Sequence, residues 1–572
     1  MKVLLIGLLT ALLFSNPAAA QAMGGYVMQD SFLIKTSQGH TLSAVVVRRR
    51  DVTAPQPVAL LFFLYSNLAR SRAEAKAAAD HGYVGVVADV RGKRLSPDTL
   101  APYEHEQEDV YEVIDWISRQ LWCNGQVGMY GGSYSGFAQW AALKHRVHPA
   151  LKTIVPYVAG IPGMGLPMEN NVFINANYEW AFYVGNNKYL DAAANNDRAR
   201  WRGLQARWYA AGTAYRRIDS VDGTPNPLLQ RWLQHPAYDA YWQRMVPYQQ
   251  EFAHISIPVL AIDGYYNDGQ ASGLHYLREH ARYNPRANDY LVIGPYDHFG
   301  AQQGGTAVLR GYRIDSIALL NTRELTFAWF DYVLKGGKKP ALLIDRVNYE
   351  VMGANTWKHA PSLARLPHRD LTLYLDTTRL GAYHTLRPTR PRRPGWLTQT
   401  VDFADRQQDN NYNFPDPIIA DTLVLPNGFA FASAPLRKPM VITGAFSGHL
   451  VARLNKQDVD FSVTLYEIMP DGRFFELTYY LGRASYAADP TRRQLLQPGV
   501  KTTIPFTNTK FVSRRLITGS RLLVVVNVNK NRFAQVNYGS GKEVSDETIA
   551  DAGKPLEISW FNESFITIPV AR

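Results

Sequence analysis

The chain has 572 residues, of which 46% are apolar and 19% charged, and its formal net charge is +12. This length exceeds one ordinary domain, and the composition argues against long disordered segments. Basic residues are spread along the chain, with only short clusters at residues 48–50 and 390–393, which favours a basic surface over a nucleic-acid site. The single cysteine, Cys123, excludes an internal disulfide.

The first residues have the pattern of a secretory signal peptide. Lys2 supplies a short positive region, residues 3–14 are apolar, and residues 18–20 are three alanines. An apolar run of about 12 residues is too short for a bilayer, which requires roughly 20. We therefore predict cleavage after Ala20, no membrane span, and export to the periplasm or beyond.

The segment before residue 160 alternates between strands and helices. Apolar, β-branched runs predict strands at residues 31–35, 41–48, 58–64, 83–90 and 126–130. An Ala-rich helix is predicted over residues 67–80, and apolar residues at helical spacing predict another that extends to Leu121. This alternation, which returns at residues 258–262 and 290–293, predicts a doubly wound parallel sheet.

Two other parts of the chain have a different texture. Residues 160–251 are rich in Trp, Tyr and Asn and predict helices, including residues 178–184 and 198–211, that form an inserted cap. After about residue 340, β-type runs are separated by Gly, Pro, Asn and Asp, which is typical of an antiparallel sandwich or jelly roll. These runs are residues 371–375, 440–454, 460–468, 474–481, 522–529 and 558–570.

A candidate nucleophile, Ser133, lies between a predicted strand and a predicted helix, in Gly131-Gly132-Ser133-Tyr134-Ser135-Gly136. A serine hydroxyl attacks only when a base removes its proton and donors stabilise the oxyanion. A strand–turn–helix elbow presents such a serine on a strained turn. Ser135 stands where the common G-x-S-x-G pattern has its second Gly, and a Gly/Ser surface turn is the alternative that this context disfavours.

The base and the acid are expected after later strands. Residues 291–293 form a strand before His298, and residues 259–262 form a strand before Asp263 and Asp268. The order Ser133, Asp268, His298 is the order that α/β-hydrolases use. No paired-His motif is present, and the Asn/Asp-rich residues 405–416 lack calcium-loop spacing, so neither a metal nor a cofactor is predicted.

The chain resembles the cocaine esterase-like (CocE/NonD) hydrolase family, which is related to Xaa-Pro dipeptidyl-peptidases, α-amino acid ester hydrolases and glutaryl acylases. The resemblance rests on the serine segment above and on Ala88-Asp89-Val90-Arg91-Gly92, Trp122-Cys123-Asn124-Gly125, Gly264-Tyr265-Tyr266-Asn267-Asp268 and Gly294-Pro295-Tyr296-Asp297-His298. Asp458-Val459-Asp460-Phe461 and Pro470-Asp471-Gly472-Arg473 are similar to the family's C-terminal β domain.

The resemblance implies a fold: an α/β-hydrolase core with an inserted helical cap and a C-terminal all-β jelly-roll domain. The predicted division is a signal peptide at 1–20, core at 21–159, cap at 160–251, core at 252–345 and β domain at 346–572.

The resemblance also implies a Ser133–His298–Asp triad and an oxyanion hole made by the Tyr65 hydroxyl and the Tyr134 backbone N–H. Relatives usually have Pro where this chain has Leu64, and they often have Asp where it has Asn267. We therefore assign the triad acid to Asp268, with Asp263 as a weaker alternative.

The sequence thus predicts an exported serine hydrolase that cleaves ester or amide bonds of a small molecule or short peptide through an acyl-enzyme. One alternative is an Xaa-Pro dipeptidyl-peptidase-type aminopeptidase, whose substrate amine would need cap carboxylates such as Glu169, Glu179 or Asp239. Another is a non-catalytic binding protein on a hydrolase scaffold.

The aromatic residues of the predicted cap either line an acyl pocket or pack the cap's own core: Tyr178, Trp180, Phe182, Trp201, Trp208 and Trp242. The oligomeric state, a homo-oligomer included, is left open.

Overall fold

A computed structural model describes residues 21–410 and 417–571. The predicted signal peptide and residues 411–416 of the Asn/Asp-rich segment lie outside the described residues.

The first part of the chain forms half of an α/β core. Its elements are β1 (Gln21–Met23), β2 (Tyr26–Lys35), β3 (Thr41–Arg49), β4 (Gln56–Phe63), α1 (Leu68–Asp80), β5 (Val84–Asp89), α2 (Glu106–Ser118), β6 (Cys123–Gly132), α3 (Tyr134–Ala141) and β7 (Leu151–Tyr157). The expected extension of α2 to Leu121 is wrong: the chain turns after Ser118 to enter β6, and Leu121 is 95% exposed.

The cap follows β7 and is mainly helical. Its elements are β8 (Met168–Glu169), β9 (Val172–Phe173), α4 (Ala176–Gly185), α5 (Ala192–Asn196), α6 (Arg198–Ala211), α7 (Ile218–Asp222), α8 (Pro227–Trp232) and α9 (Ala240–Gln243). Helix α6 begins after Asp197, whose side chain accepts from the Arg200 N–H, and ends at Gly212 in the left-handed conformation.

The chain then returns to the core. Its elements there are β10 (Val259–Tyr266), α10 (Gln270–Tyr283), β11 (Asp289–Asp297), α11 (Gly300–Gln303), β12 (Val308–Leu309), β13 (Tyr312–Arg313), α12 (Thr322–Lys335), β14 (Val347–Val351) and β15 (Thr356–Ala360). The sheet has 11 strands in the order β1-β2-β3-β5-β4-β6-β7-β10-β11-β14-β15. The strands from β5 to β14 in this order are parallel, and antiparallel strands extend both edges.

This topology places several strand ends together. The carboxyl ends of the parallel strands β4, β6, β10 and β11 all lie on the same side of the sheet. In the strand order, β6, β7, β10 and β11 are successive neighbours. Ligands of such sheets bind outside the carboxyl ends of the strands. The loops after these strands carry Tyr65, Ser133, Asp268 and His298.

The C-terminal part is all β, and with the α/β core it confirms the predicted fold class. Its strands are β16 (His368–Leu380), β17 (Tyr383–Arg387), β18 (Trp396–Val401), β19 (Ile419–Ala420), β20 (Phe429–Ala432), β21 (Met440–Ala445), β22 (Ser447–Leu454), β23 (Asp460–Ile468), β24 (Phe474–Arg483), β25 (Thr502–Phe506), β26 (Phe511–Leu516), β27 (Arg521–Val528), β28 (Leu556–Phe561) and β29 (Phe565–Ala571). The β domain packs directly on the start of α10, since the buried Gln270 side chain bonds both backbone groups of Phe511 at 2.6 and 2.8 Å.

A buried ion pair joins β23 to β24. The Arg483 guanidinium donates to both oxygens of Asp460 at 2.8 and 3.0 Å, and both side chains are at most 1% exposed. Removing one partner of such a pair leaves an uncompensated charge in the interior.

We expect Arg483→Met to lower the free energy of unfolding by about 3–5 kcal/mol. Urea denaturation measures this as a lower unfolding midpoint for the β domain. The matched control is Arg473→Met, which breaks an exposed pair with Asp471 at 2.8 Å and should barely move the midpoint. Equal midpoints for the two variants would contradict the stabilising role of the buried pair.

Candidate active site

The turn that carries Ser133 is strained. Ser133 follows β6 directly and precedes α3, with φ 59° and ψ −121°, a conformation that costs a non-glycine residue energy. A Cβ on Gly131 would lie 2.8 Å from the Ser135 Cβ, and one on Gly136 would lie 2.8 Å from the Tyr157 carbonyl oxygen. Ser135, which stands where the common G-x-S-x-G pattern has its second Gly, is accommodated because its hydroxyl donates to the Phe62 carbonyl at 2.6 Å.

Two groups beside Ser133 can donate to an oxyanion. Tyr65 follows β4, and its hydroxyl lies near the Ser133 side chain. Burial raises the pKa of Tyr65, so the hydroxyl keeps its proton and can donate it. Tyr134 begins α3, so its backbone N–H has no carbonyl one turn earlier to bond.

A buried carboxylate fixes the loop that carries Tyr65. Asp89, at the end of β5, accepts from the Ser66 hydroxyl at 2.7 Å and from the Ser43 hydroxyl at 3.1 Å. The Arg94 guanidinium donates to the same carboxylate at 2.6 Å and balances its charge. Because Ser66 is the neighbour of Tyr65, these bonds restrain the position of the phenol.

The side chain of Tyr134 is also held by a buried acid, which the sequence analysis did not single out. Its hydroxyl donates to the Glu106 carboxylate and accepts from the Tyr103 N–H at 3.2 Å. Burial raises the pKa of Glu106 to about 7. No sequence pattern connects Glu106 with Tyr134, because they lie on different helices that meet only in the fold.

His298 lies beside the nucleophile turn. Its backbone carbonyl accepts from the Gln302 side chain at 2.8 Å. The same Gln302 side chain packs on Gly132, where an added Cβ would lie 2.4 Å from it. Gln302 therefore connects the loop of His298 to the residue immediately before Ser133.

Two residues face the Nδ1 atom of His298. The Oδ1 atom of Asn267 lies 2.9 Å from it, and the Oδ1 atom of Asp268 lies 3.6 Å from it. Asn267 is fully buried, whereas the Asp268 side chain is 56% exposed. Asp263 is also buried and accepts from the Asn267 Nδ2 at 2.8 Å. The structure therefore brings Asp268 near His298 but gives the hydrogen bond to Asn267.

One of the six cap aromatics contacts the site. The Trp180 indole N–H donates to the Tyr65 hydroxyl at 3.0 Å, and its ring stacks on Tyr103 with centroids 5.4 Å apart. Phe182 lies under the Arg200 guanidinium instead. The other four are buried in the core of the cap: Tyr178, Trp201, Trp208 and Trp242.

The three cap carboxylates all have protein partners. Glu169 accepts from the Tyr479 hydroxyl at 3.2 Å and pairs with the Lys510 ammonium at 3.4 Å. Glu179 accepts from the Gln205 amide at 2.7 Å. Asp239 caps α9 and bonds His235 at 2.8 Å.

Within residues 21–410 and 417–571, no helix is long and apolar enough to cross a membrane. The same part of the chain contains no cluster of His, Cys, Asp and Glu that could hold a metal ion.

Comparison with known proteins identifies the class of this protein. Residues 38–300 match the family described as X-Pro dipeptidyl-peptidase (S15 family), and residues 344–549 match the X-Pro dipeptidyl-peptidase C-terminal non-catalytic domain. The chain is a serine hydrolase that contains an S15-family domain. The matched regions of this hydrolase contain all four site loops and most of the β domain.

Relatives of this hydrolase are similar along almost its whole length. It is 26% identical to the cocaine esterase of Rhodococcus sp. (strain MB1 Bresler), over 92% of this chain and 95% of that protein. The structure of an α-amino acid ester hydrolase matches with a TM-score of 0.79 at 20% identity, covering 98% of this chain and 100% of the other. An aminopeptidase from a Thaumarchaeota archaeon matches with the same TM-score at 18% identity, over 96% and 97% of the two chains.

Proposed function

We propose that this hydrolase cleaves ester or amide bonds through an acyl-enzyme, with Ser133 as nucleophile, His298 as base and Asp268 as the triad carboxylate. His298 takes the proton of the Ser133 hydroxyl while the Ser133 oxygen attacks the substrate carbonyl. The protonated imidazole then gives that proton to the leaving alcohol or amine. Water repeats the sequence on the acyl-enzyme and releases the acid.

The oxyanion hole in this proposal is built by Tyr65 and Tyr134. The Tyr65 hydroxyl and the Tyr134 backbone N–H donate to the carbonyl oxygen as it becomes negative. Donors of this kind are effective because they are already in place before the charge develops. The bonds of Trp180 to Tyr65 and of Ser66 to Asp89 support that preorganisation.

The observation that carries the proposal is the convergence on Ser133. Ser133 lies on a strained turn, a neutral tyrosine hydroxyl lies near its side chain, and Gln302, which bonds the His298 carbonyl, packs on the preceding Gly132. A binding protein on this scaffold would have no need of a strained serine or of a donor held beside it.

The partner of Glu169 favours an acyl substrate without a required amine. An ammonium site needs a carboxylate whose charge is not already compensated. Glu169, the cap carboxylate for which Asp268 is a close charged neighbour, is paired with Lys510. We therefore expect simple esters and amides to be better substrates than amino-terminal dipeptide amides.

A substrate panel tests this proposal. Purified protein is assayed with short-chain 4-nitrophenyl esters, α-amino acid esters and Xaa-Pro 4-nitroanilides, each with Ser133→Ala as the background control. A preference in kcat/KM for the simple esters supports the proposal. A preference for the Xaa-Pro anilides would establish the dipeptidyl-peptidase alternative, and no Ser133-dependent turnover of any substrate would favour the binding protein.

We expect Asp268→Asn to lower kcat by about tenfold, well below the loss of about 10⁴ that follows when a buried triad carboxylate is changed to its amide. The loss is smaller because this carboxylate is half exposed and lies 3.6 Å from the imidazole. Initial rates with the best ester measure the effect, and Asp471→Asn, far along the sequence on an exposed turn, is the control. An unchanged kcat would remove Asp268 from the mechanism.

We also propose that the protein is exported, on the basis of the signal-peptide pattern at residues 1–20. Mass spectrometry of the N-terminus of protein from the periplasmic and culture fractions tests this. A mature chain that begins at Gln21 supports export, and an intact Met1 terminus confined to the cytoplasm would refute it.

A further inference from the structure

We propose that Asn267 is the positioning residue that orients the His298 imidazole, and that the buried Asp263 carboxylate fixes the Asn267 amide in the orientation this requires. The inference rests on the roles proposed above for Ser133 and His298. It divides the task of a triad acid between two groups: Asn267 sets the orientation of the ring, and Asp268 supplies the negative charge.

The contacts form one chain from the imidazole into the core. The His298 Nδ1 lies 2.9 Å from the Asn267 Oδ1, and the Asn267 Nδ2 lies 2.8 Å from the Asp263 Oδ1. Both Asn267 and Asp263 are at most 2% exposed, so water does not compete for these bonds. Asp268, in contrast, is open to solvent and lies beyond ordinary hydrogen-bond distance from Nδ1.

The neighbours of the amide fix which of its ends faces His298. The Gly269 backbone N–H, which donates to the Asp268 Oδ1 at 2.9 Å, also donates to the Asn267 Oδ1 at 3.3 Å and so favours the oxygen on that side. On the other side the amide nitrogen faces the Asp263 carboxylate, which can only accept once it is ionised, and burial raises the pKa of Asp263 to about 7. A reversed amide would set its oxygen against the Asp263 carboxylate and its N–H₂ against the Gly269 N–H, and both contacts would be repulsive.

The core is shaped to hold the Asp263 carboxylate in place. Its Oδ1 atom also accepts from the Gly264 N–H at 2.8 Å. Its Oδ2 atom occupies space left by Gly273 in α10, where an added Cβ would lie 2.1 Å from it. Asp263 is part of β10, so its backbone is held by the central sheet.

The chemical consequence concerns the tautomer of His298. An amide oxygen at Nδ1 requires the proton to be on Nδ1, which leaves the lone pair of Nε2 free to accept the proton of Ser133. In serine proteases, a triad amide that can turn its N–H₂ towards the imidazole selects the wrong tautomer and loses about 10⁴ in kcat. Here the Asp263 carboxylate prevents that reversal, so asparagine can serve at a position where a free amide would fail.

Leucine substitutions at the two positions test the inference through kinetics. Asn267→Leu and Asp263→Leu are each expected to lower kcat by about 100-fold with little change in KM, and the double variant should be no worse than Asn267→Leu alone, because Asp263 acts through Asn267. The conservative Asp263→Asn, whose amide oxygen can still accept from Asn267, should stay within about tenfold of the wild type. Thermal midpoints verify folding. Additive losses in the double variant, or an unchanged kcat in Asn267→Leu, would overturn the inference.

A spectroscopic measurement makes the test independent of catalysis. In protein labelled with ¹⁵N-histidine, the His298 signals, assigned by difference with His298→Gln, are expected to show the Nδ1–H tautomer in the wild type. They should shift towards a mixture with the Nε2–H tautomer in Asn267→Ala. This variant also tests whether Asn267 orients His298 if Asp263→Leu does not fold. An unchanged tautomer in Asn267→Ala would overturn the inference even if Ser133 proves to be the nucleophile. An inactive protein with the expected tautomers would instead refute the proposed function alone.

Discussion

Replacing Ser133 by alanine is expected to lower kcat for the best ester by about 10⁶-fold, the scale seen when the serine of a hydrolase triad is removed. The variant has no atom that can form the acyl-enzyme, so only the donors and the binding site remain to assist direct attack by water. The fold should be unaffected, because alanine keeps the Cβ that the turn already accommodates at φ 59°. Steady-state kinetics and the thermal midpoint measure the two effects.

The control for this variant lies two residues along the same turn. Ser135→Gly restores the residue that the common elbow pattern carries and removes only the bond to the Phe62 carbonyl. We expect its kcat to stay within about tenfold of the wild type. A Ser133→Ala protein that retains more than about one hundredth of the wild-type kcat would contradict the assignment of the nucleophile.

Replacing Tyr65 by phenylalanine is expected to lower kcat by about 10²- to 10³-fold and to leave KM nearly unchanged. The hydroxyl is placed to donate to an oxyanion that exists only in the transition state, so its loss raises the barrier without weakening substrate binding. The ring of phenylalanine keeps the packing of Tyr65 on Phe63, whose centroid is 5.8 Å away.

Trp180→Phe is the matched control for Tyr65, since it removes the indole N–H that bonds the phenol oxygen but keeps an aromatic ring in the cap. We expect a loss in kcat of less than about tenfold, because this bond orients the donor and does not contact the substrate oxygen. A large KM increase with unchanged kcat in Tyr65→Phe would show that the phenol binds the substrate and does not stabilise the oxyanion.

Local patterns in the sequence predicted the bounds of several elements, because the composition of a segment reflects the helix or strand that it forms. Helix α6 covers the predicted residues 198–211, and β23 covers the predicted residues 460–468. The predicted extension of α2 to Leu121 was wrong for a local reason. The spacing of Leu121 continues the helical pattern, although the chain has already turned towards β6. The antiparallel edges of the sheet were not predicted, because an apolar run does not reveal the direction of its neighbour.

The site was predictable only where a residue follows a recognisable strand. Ser133 and His298 satisfy that condition, and the structure places both at one edge of the sheet. The bond between Asn267 and His298 was not predicted, because a triad acid is expected to carry a negative charge, which an amide lacks. Only the fold shows that Asp263 fixes the orientation of that amide. Glu106 and Trp180 are remote in sequence from the tyrosines they bond, so no spacing rule could have found them.

The most direct test of the central claim is to treat the purified protein with a fluorophosphonate and to locate the adduct by peptide mass spectrometry. We predict a single modified residue, Ser133, with labelling lost in Ser133→Ala and strongly slowed in His298→Ala. An adduct on another serine, or no adduct on well-folded wild-type protein, would contradict the proposal that Ser133 is the nucleophile.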